Sequence, residues 1–326
     1  MTTLYLLVGL SMVFNFLNGF HDSSNIVATI IFSRAMPPRW ALALTAVAES
    51  AGPFIFGVAV AKTIGEEIVQ PGTVSIQVIL AALVAAILWN LITWFFGIPS
   101  SSSHALIGGL VGAVTIGAGF SFIKVPGLIK ILIFLFASPL LGLAVGYLFT
   151  RLVYLLAKLA SPRINSFFKR AQIVTGIGLA LSHGANDAQK TMGIITLGLV
   201  ATGFLKTFEV PLWVIAICAI AMALGTVSGG WRLIRTLGSR FYKIRPVNGF
   251  SAQVSSAIVI LGAALLGGPV STTQVVSSAI MGVGSAERVN KVRWGVAGQI
   301  ATAWFLTIPV TALVSAGVYL LIHRFW

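Results

Sequence analysis

The chain has 326 residues, 57% of them hydrophobic and only 9% charged, with a formal net charge of +14. So little charge cannot cover a water-facing surface, which excludes a soluble protein and leaves room for on the order of ten spans of roughly 20 apolar residues. The basic residues lie in short loops between apolar runs, the pattern that orients membrane proteins and not a nucleic-acid surface.

The first apolar run lacks a basic flank and a small-residue cleavage site, so it reads as a span and not as a cleavable signal. It leads into Asn18-Gly19-Phe20-His21-Asp22. Residues 41–61 follow with Glu49 inside, then a net negative loop holding Lys62, Glu66 and Glu67. Beyond Trp89-Asn90, Pro99-Ser100-Ser101-Ser102-Ser103-His104 interrupts the apolar sequence. Proline beside serine is a helix-start signature, and residues 105–114 are too short to span, so they read as a half-helix. Residues 131–156 form a further span. The basic cluster Arg151, Lys158, Arg163, Lys169 and Arg170 reads as a cytoplasmic loop, with lipid recognition as the alternative.

Later segments repeat earlier ones. Gly184-Ala185-Asn186-Asp187 matches Gly19-Phe20-His21-Asp22, and Arg235-Thr236-Leu237-Gly238 matches Lys62-Thr63-Ile64-Gly65. Pro269-Val270-Ser271-Thr272-Thr273-Gln274, followed by the short apolar run 275–283, matches the first hydroxyl cluster, with Gly112 and Gly282 in register beyond. Cys218 stands alone in an apolar run, so no disulfide or zinc site is expected. A final span covers 294–322. The loop holding Arg232, Arg235, Arg240, Lys243 and Arg245 is acid-free while its counterpart is net negative, so the matched loops lie on opposite sides. The predicted fold is an all-α polytopic membrane protein. It is a five-plus-five inverted repeat whose broken or re-entrant half-helices meet near the midplane. Residues 1–160 form the first repeat, 161–171 a basic linker and 172–326 the second repeat, with both termini outside.

Only seven residues are acidic, and Asp22 and Asp187 fall at matched positions inside apolar segments. A carboxylate there costs about 2.5–3.5 kcal/mol on insertion scales. The neighbouring glycines and His21 or Asn186 predict broken helices at both. The hydroxyl clusters supply the complement. Unpaired N–H groups at two half-helix N-termini, with Ser101, Ser102, Ser103, Ser271, Thr272 and Thr273 beside them, form an anion site. Aspartates near an anion require cations, with Asp22, Ser23, Asn25, Asn186 and Asp187 as sodium ligands. Two carboxylates and a phosphate dianion carry about −4 against Lys190, so two or three monovalent cations should accompany the substrate. An anion with an O–H to give a carboxylate favours phosphate over sulfate. Asp22, Asn25, Asp187 and Lys190 complete the phosphate set, although Lys190 also suits an ion pair with Asp187. Glu49, His104 and Gln274 are candidates for gating or coupling. His183 suits a structural or a functional role equally.

The set Asn18-Gly19-Phe20-His21-Asp22-Ser23-Ser24-Asn25, Ser182-His183-Gly184-Ala185-Asn186-Asp187, Gly97-Ile98-Pro99-Ser100-Ser101-Ser102-Ser103-His104 and Gly268-Pro269-Val270-Ser271-Thr272-Thr273 resembles the inorganic phosphate transporter family known as PiT, over almost the whole chain. The resemblance implies phosphate transport driven by sodium or protons, by a homo-oligomer (a homodimer is expected) in the cell membrane. Gln253 stands where family members often carry glutamate, which favours sodium coupling; Gln253 joins the gating or coupling candidates. The expected function is sodium-coupled phosphate symport by alternating access, with sodium as co-substrate, no cofactor and no enzymatic activity. Proton-coupled phosphate or metal-phosphate symport is the alternative, with sulfate transport behind it. An aspartyl protease dyad leaves the duplicated hydroxyl clusters unexplained, and a passive anion channel needs no cations.

Overall fold

The computed structural model describes residues 2–70, 74–161, 163–237 and 244–325. Gly238, Arg240, Lys243 and Pro162 lie outside the described residues, so the basic loop of the second repeat is only partly covered. The first half comprises α1 (Thr2–Phe32), α2 (Pro38–Phe56), α3 (Ala59–Lys62) with a π-helical turn Thr63–Glu67, α4 (Ile76–Phe96), α5 (Ser102–Gly117) and α6 (Val125–Leu156). The second comprises α7 (Ile164–Ala201), α8 (Leu212–Ser228), α9 (Trp231–Arg235), α10 (Pro246–Leu265), α11 (Thr272–Glu287) and α12 (Trp294–Phe325). The chain bends by 74° between α2 and α3, so α2 with α3 forms one broken segment. With α9 likewise counted with α8, the described residues give five segments in each half, as the repeat predicts.

Contacts between the halves are exchanged reciprocally. α1 packs on α8 as α7 packs on α2, and α5 packs on α12 as α11 packs on α6. Equivalent glycines make the crossings possible. A Cβ on Gly19 would overlap the backbone of Met222, and one on Gly184 would overlap the backbone of Glu49. Gly19→Val and Gly184→Val are each expected to destabilise the fold by about 1–3 kcal/mol, read as a lower unfolding temperature in detergent. Unchanged melting in both would argue against these crossings.

α5 and α11 are the predicted half-helices. Each has 16 residues, about 24 Å at 1.5 Å per residue, short of the roughly 30 Å hydrocarbon core. Pro99 and Pro269 precede them, and Ser101 and Ser271 cap them by accepting the backbone N–H of His104 and Gln274. Two apolar clusters flank their N-termini, one containing Leu83, Leu106 and Leu110, the other Ile260, Val276 and Ile280.

Two expectations need correction. α1 and α7 run unbroken through Asp22 and Asp187, because the adjacent glycines serve close helix crossing and not a break. The basic stretch read as a linker is mostly helix, since α7 starts at Ile164 and buries Phe168.

Candidate functional site

The polar residues of four helices converge between the two apolar clusters. On α1, Asp22 and Asn25 are one turn apart, and the Asn25 amide donates to Asp22 Oδ1 at 2.8 Å and to Thr273 Oγ1 at 3.1 Å. The Thr273 hydroxyl also donates to Asp22 Oδ1, at 2.8 Å. On α7 the same spacing brings Lys190 Nζ onto Asp187 Oδ1. Lys190 further donates to Ser103 Oγ at 2.6 Å and to the Val270 carbonyl at 2.7 Å, while Thr272 donates to Asp187 Oδ2 at 2.6 Å. Each half-helix thus presents hydroxyls to an aspartate helix, and Asn25 with Thr273 is the twofold counterpart of Lys190 with Ser103.

The half-helix N-termini meet. Ser103 Oγ donates to Val270 O at 3.0 Å, and His104 Nε2 faces Gln274 Nε2 at 3.5 Å. His104 Nδ1 is tied back to Ser101 Oγ at 2.7 Å, which fixes the ring. Ser102, the first residue of α5, is buried. Asn186 positions the turn before α11, donating to Gly268 O at 3.1 Å and accepting from Val270 N–H at 3.2 Å. Ser23 points elsewhere: its hydroxyl donates to Phe20 O and accepts from Gly230 N–H. Gln253 is also apart. It accepts from Thr175 at 2.5 Å and donates to Thr29 at 3.0 Å, and Thr29 sits about 10 Å along α1 from Asp22.

His183 was the residue sequence reasoning left unplaced. It lies one turn before Asp187 on α7, with Nε2 2.8 Å from Asp187 Oδ2 and 3.8 Å from Asp22 Oδ2, and its Nδ1 contacts Glu49 Oε1. Thr226, which carries no sequence signal, donates to Glu49 Oε2 at 2.5 Å. For His183 a signal existed. Glu49 matches Met222 and His183 matches Asn18, so the repeat breaks twice, at positions that touch each other across the α2–α7 crossing.

Asp22, Asp187, Glu49, His183 and Lys190 are all at most 3% exposed. Formally, three carboxylates face one ammonium, leaving two negative charges, or one with a protonated imidazole. Asp22, His183 and Asp187 also present ligand atoms within 4.8 Å of one another. Among the buried oxygens that carry no hydrogen bond from the described residues are Asp22 Oδ2 and Asn25 Oδ1, beside the Thr273 hydroxyl. Buried acceptors of this kind are rarely left empty-handed, and unpaired oxygen beside surplus negative charge suits a hard cation.

A profile of the phosphate transporter family matches residues 18–315. The chain belongs to this family. Relatives in the family include a protein of Rhizobium meliloti (strain 1021) and one of Bacillus subtilis (strain 168), each described as a "probable low-affinity inorganic phosphate transporter". They are 47% and 45% identical, over 96% and 98% of this chain and 94% and 96% of theirs. A solved structure described as "the sodium-dependent phosphate transporter" is similar over the whole of both chains, with a TM-score of 0.89 at 26% identity. Family membership and the apolar helices make the protein a multi-pass membrane transporter.

Proposed function

We propose that this member of the phosphate transporter family carries inorganic phosphate together with sodium ions, by alternating access between its inverted repeats. The observation that carries the reading is the meeting of two hydroxyl-capped half-helix N-termini with Asp22 and Asp187, where Asp22 Oδ2 and Asn25 Oδ1 stay unpaired. Helix N-termini and the hydroxyls of Ser102, Ser103, Thr272 and Thr273 donate to the anion. Asp22, Asn25 and Asp187 supply oxygen to sodium, and Ser101, Ser271 and Asn186 act by holding the helix ends. Lys190 neutralises Asp187 in the state described here, its three donors all committed. Phosphate binding therefore requires cations first, or with it. The similar solved structure, named for sodium dependence, supports the same coupling. The proposed orientation is multi-pass in the cell membrane with both termini outside.

The test is equilibrium phosphate binding to purified protein across a sodium titration at fixed pH. Affinity should rise steadily with sodium, because the two ligands are reciprocally linked. A flat curve would reject sodium symport.

One observation favours a second reading, proton coupling. His183 sits between Glu49 and Asp187, and a neutral imidazole has a single N–H for two carboxylates, so a further proton has a place there. Under the sodium reading, Glu49→Gln should slow uptake by about tenfold, the scale of one charge-assisted contact, and leave sodium-dependent phosphate binding intact. Binding that ignores sodium, with uptake set by pH alone, would promote the proton.

A further inference from the structure

A groove of about 300 Å³ opens between the ends of α6, α7 and α10, away from the aspartates. Phe149, Leu152, Leu156, Phe167, Phe168 and Phe250 line it. Phe168 and Phe250 pack at 5.3 Å between ring centroids, which makes its floor rigid, while Leu156 and Phe167 are exposed. Basic residues ring the apolar lining. Arg151, Lys158, Arg163 and Lys169 are each the sequence neighbour of a lining residue, and Arg170 follows. Four of these five are exposed and Lys169 is half-buried; none has an ion-pair partner among the described residues. No acid occurs between Glu67 and Asp187, and Glu287, on α11 at this end, is already held by Arg245 and Lys291.

We propose that this groove binds one anionic phospholipid, its acyl chain against the phenylalanines and its headgroup phosphate on the basic rim. The charge decides the occupant. Juxtamembrane basic clusters attract anionic headgroups. A zwitterionic lipid would bring its ammonium to an acid-free surface. A second copy, related by a twofold axis, would set the same uncompensated cations against one another.

The test is native mass spectrometry of the full chain in detergent, equilibrated with equal amounts of phosphatidylglycerol and phosphatidylcholine. The protein should retain phosphatidylglycerol with a preference of about fivefold or more. Arg163→Gln, Lys169→Gln and Arg170→Gln combined should abolish the preference, Leu156→Trp should lower total lipid retained, and excess inorganic phosphate should displace none. Equal retention of the two lipids by the parent overturns the proposal without need of any variant. So does displacement by phosphate, a preference unchanged in the charge variant, or a dimer that carries no lipid.

Discussion

Asp22→Asn is expected to raise the sodium concentration needed for phosphate binding by roughly ten- to a hundredfold, the equivalent of the ~1.5–3 kcal/mol of one charge-assisted contact. The substitution keeps size and one oxygen, so the Asn25 and Thr273 hydroxyl or amide donors can still find an acceptor at Oδ1. What it removes is the charge behind the unpaired Oδ2. At saturating sodium the variant should approach parental phosphate affinity, because the anion donors on α5 and α11 are untouched. Parental sodium dependence in Asp22→Asn would mean that Asp22 ligates no cation. Loss of phosphate affinity that no sodium concentration restores would mean that it contacts the anion alone.

Lys190→Met is expected to be the most damaging single change to the fold, about 3–5 kcal/mol, since it strands a buried carboxylate. Lys190 is 1% exposed and satisfies Asp187, Ser103 Oγ and Val270 O at once, so methionine strips the ammonium from Asp187 Oδ1 and Ser103 Oγ and leaves Val270 O with the Ser103 hydroxyl alone. The double variant Lys190→Met with Asp187→Asn should recover much of the loss in thermal unfolding. Phosphate uptake should not return with it, because Asp187 also receives Thr272 and faces His183. Additive destabilisation in the double variant would show that the two do not act as a pair. A stable, fully folded Lys190→Met protein would mean the ammonium is a substrate ligand that the fold does not need.

Much of this was legible because duplication writes the same polar positions twice. Asp22 with Asp187, and the Pro99 and Pro269 hydroxyl clusters, stood out as expensive residues recurring in register, and the half-helices α5 and α11 begin where the prolines and serines predicted. The continuity of α1 and α7 was not legible. A glycine beside a polar residue in an apolar run can mark a break or a close crossing, and only the backbones of Met222 and Glu49 lying against Gly19 and Gly184 decide between them. The choice between ligand and ion pair for Lys190 likewise needs the carbonyl of Val270, a backbone group with no sequence signature. The role of His183 stayed open, and Thr226 went unseen, because the partner of each, Glu49, lies on another helix. Gln253 enters as a gating or coupling candidate through the resemblance alone, and its side chain bonds to Thr29 and Thr175.

If a sodium gradient drives phosphate through the aspartate and hydroxyl site, reconstituted vesicles will show it as uphill flux. Purified protein in phosphatidylglycerol-containing vesicles would be given labelled phosphate outside, under an inward sodium gradient or an inward proton gradient of equal size. The sodium gradient should drive phosphate above its equilibrium level inside, and Asp22→Asn should remove most of that accumulation. Accumulation under the proton gradient alone, or mere equilibration under both, would contradict sodium symport.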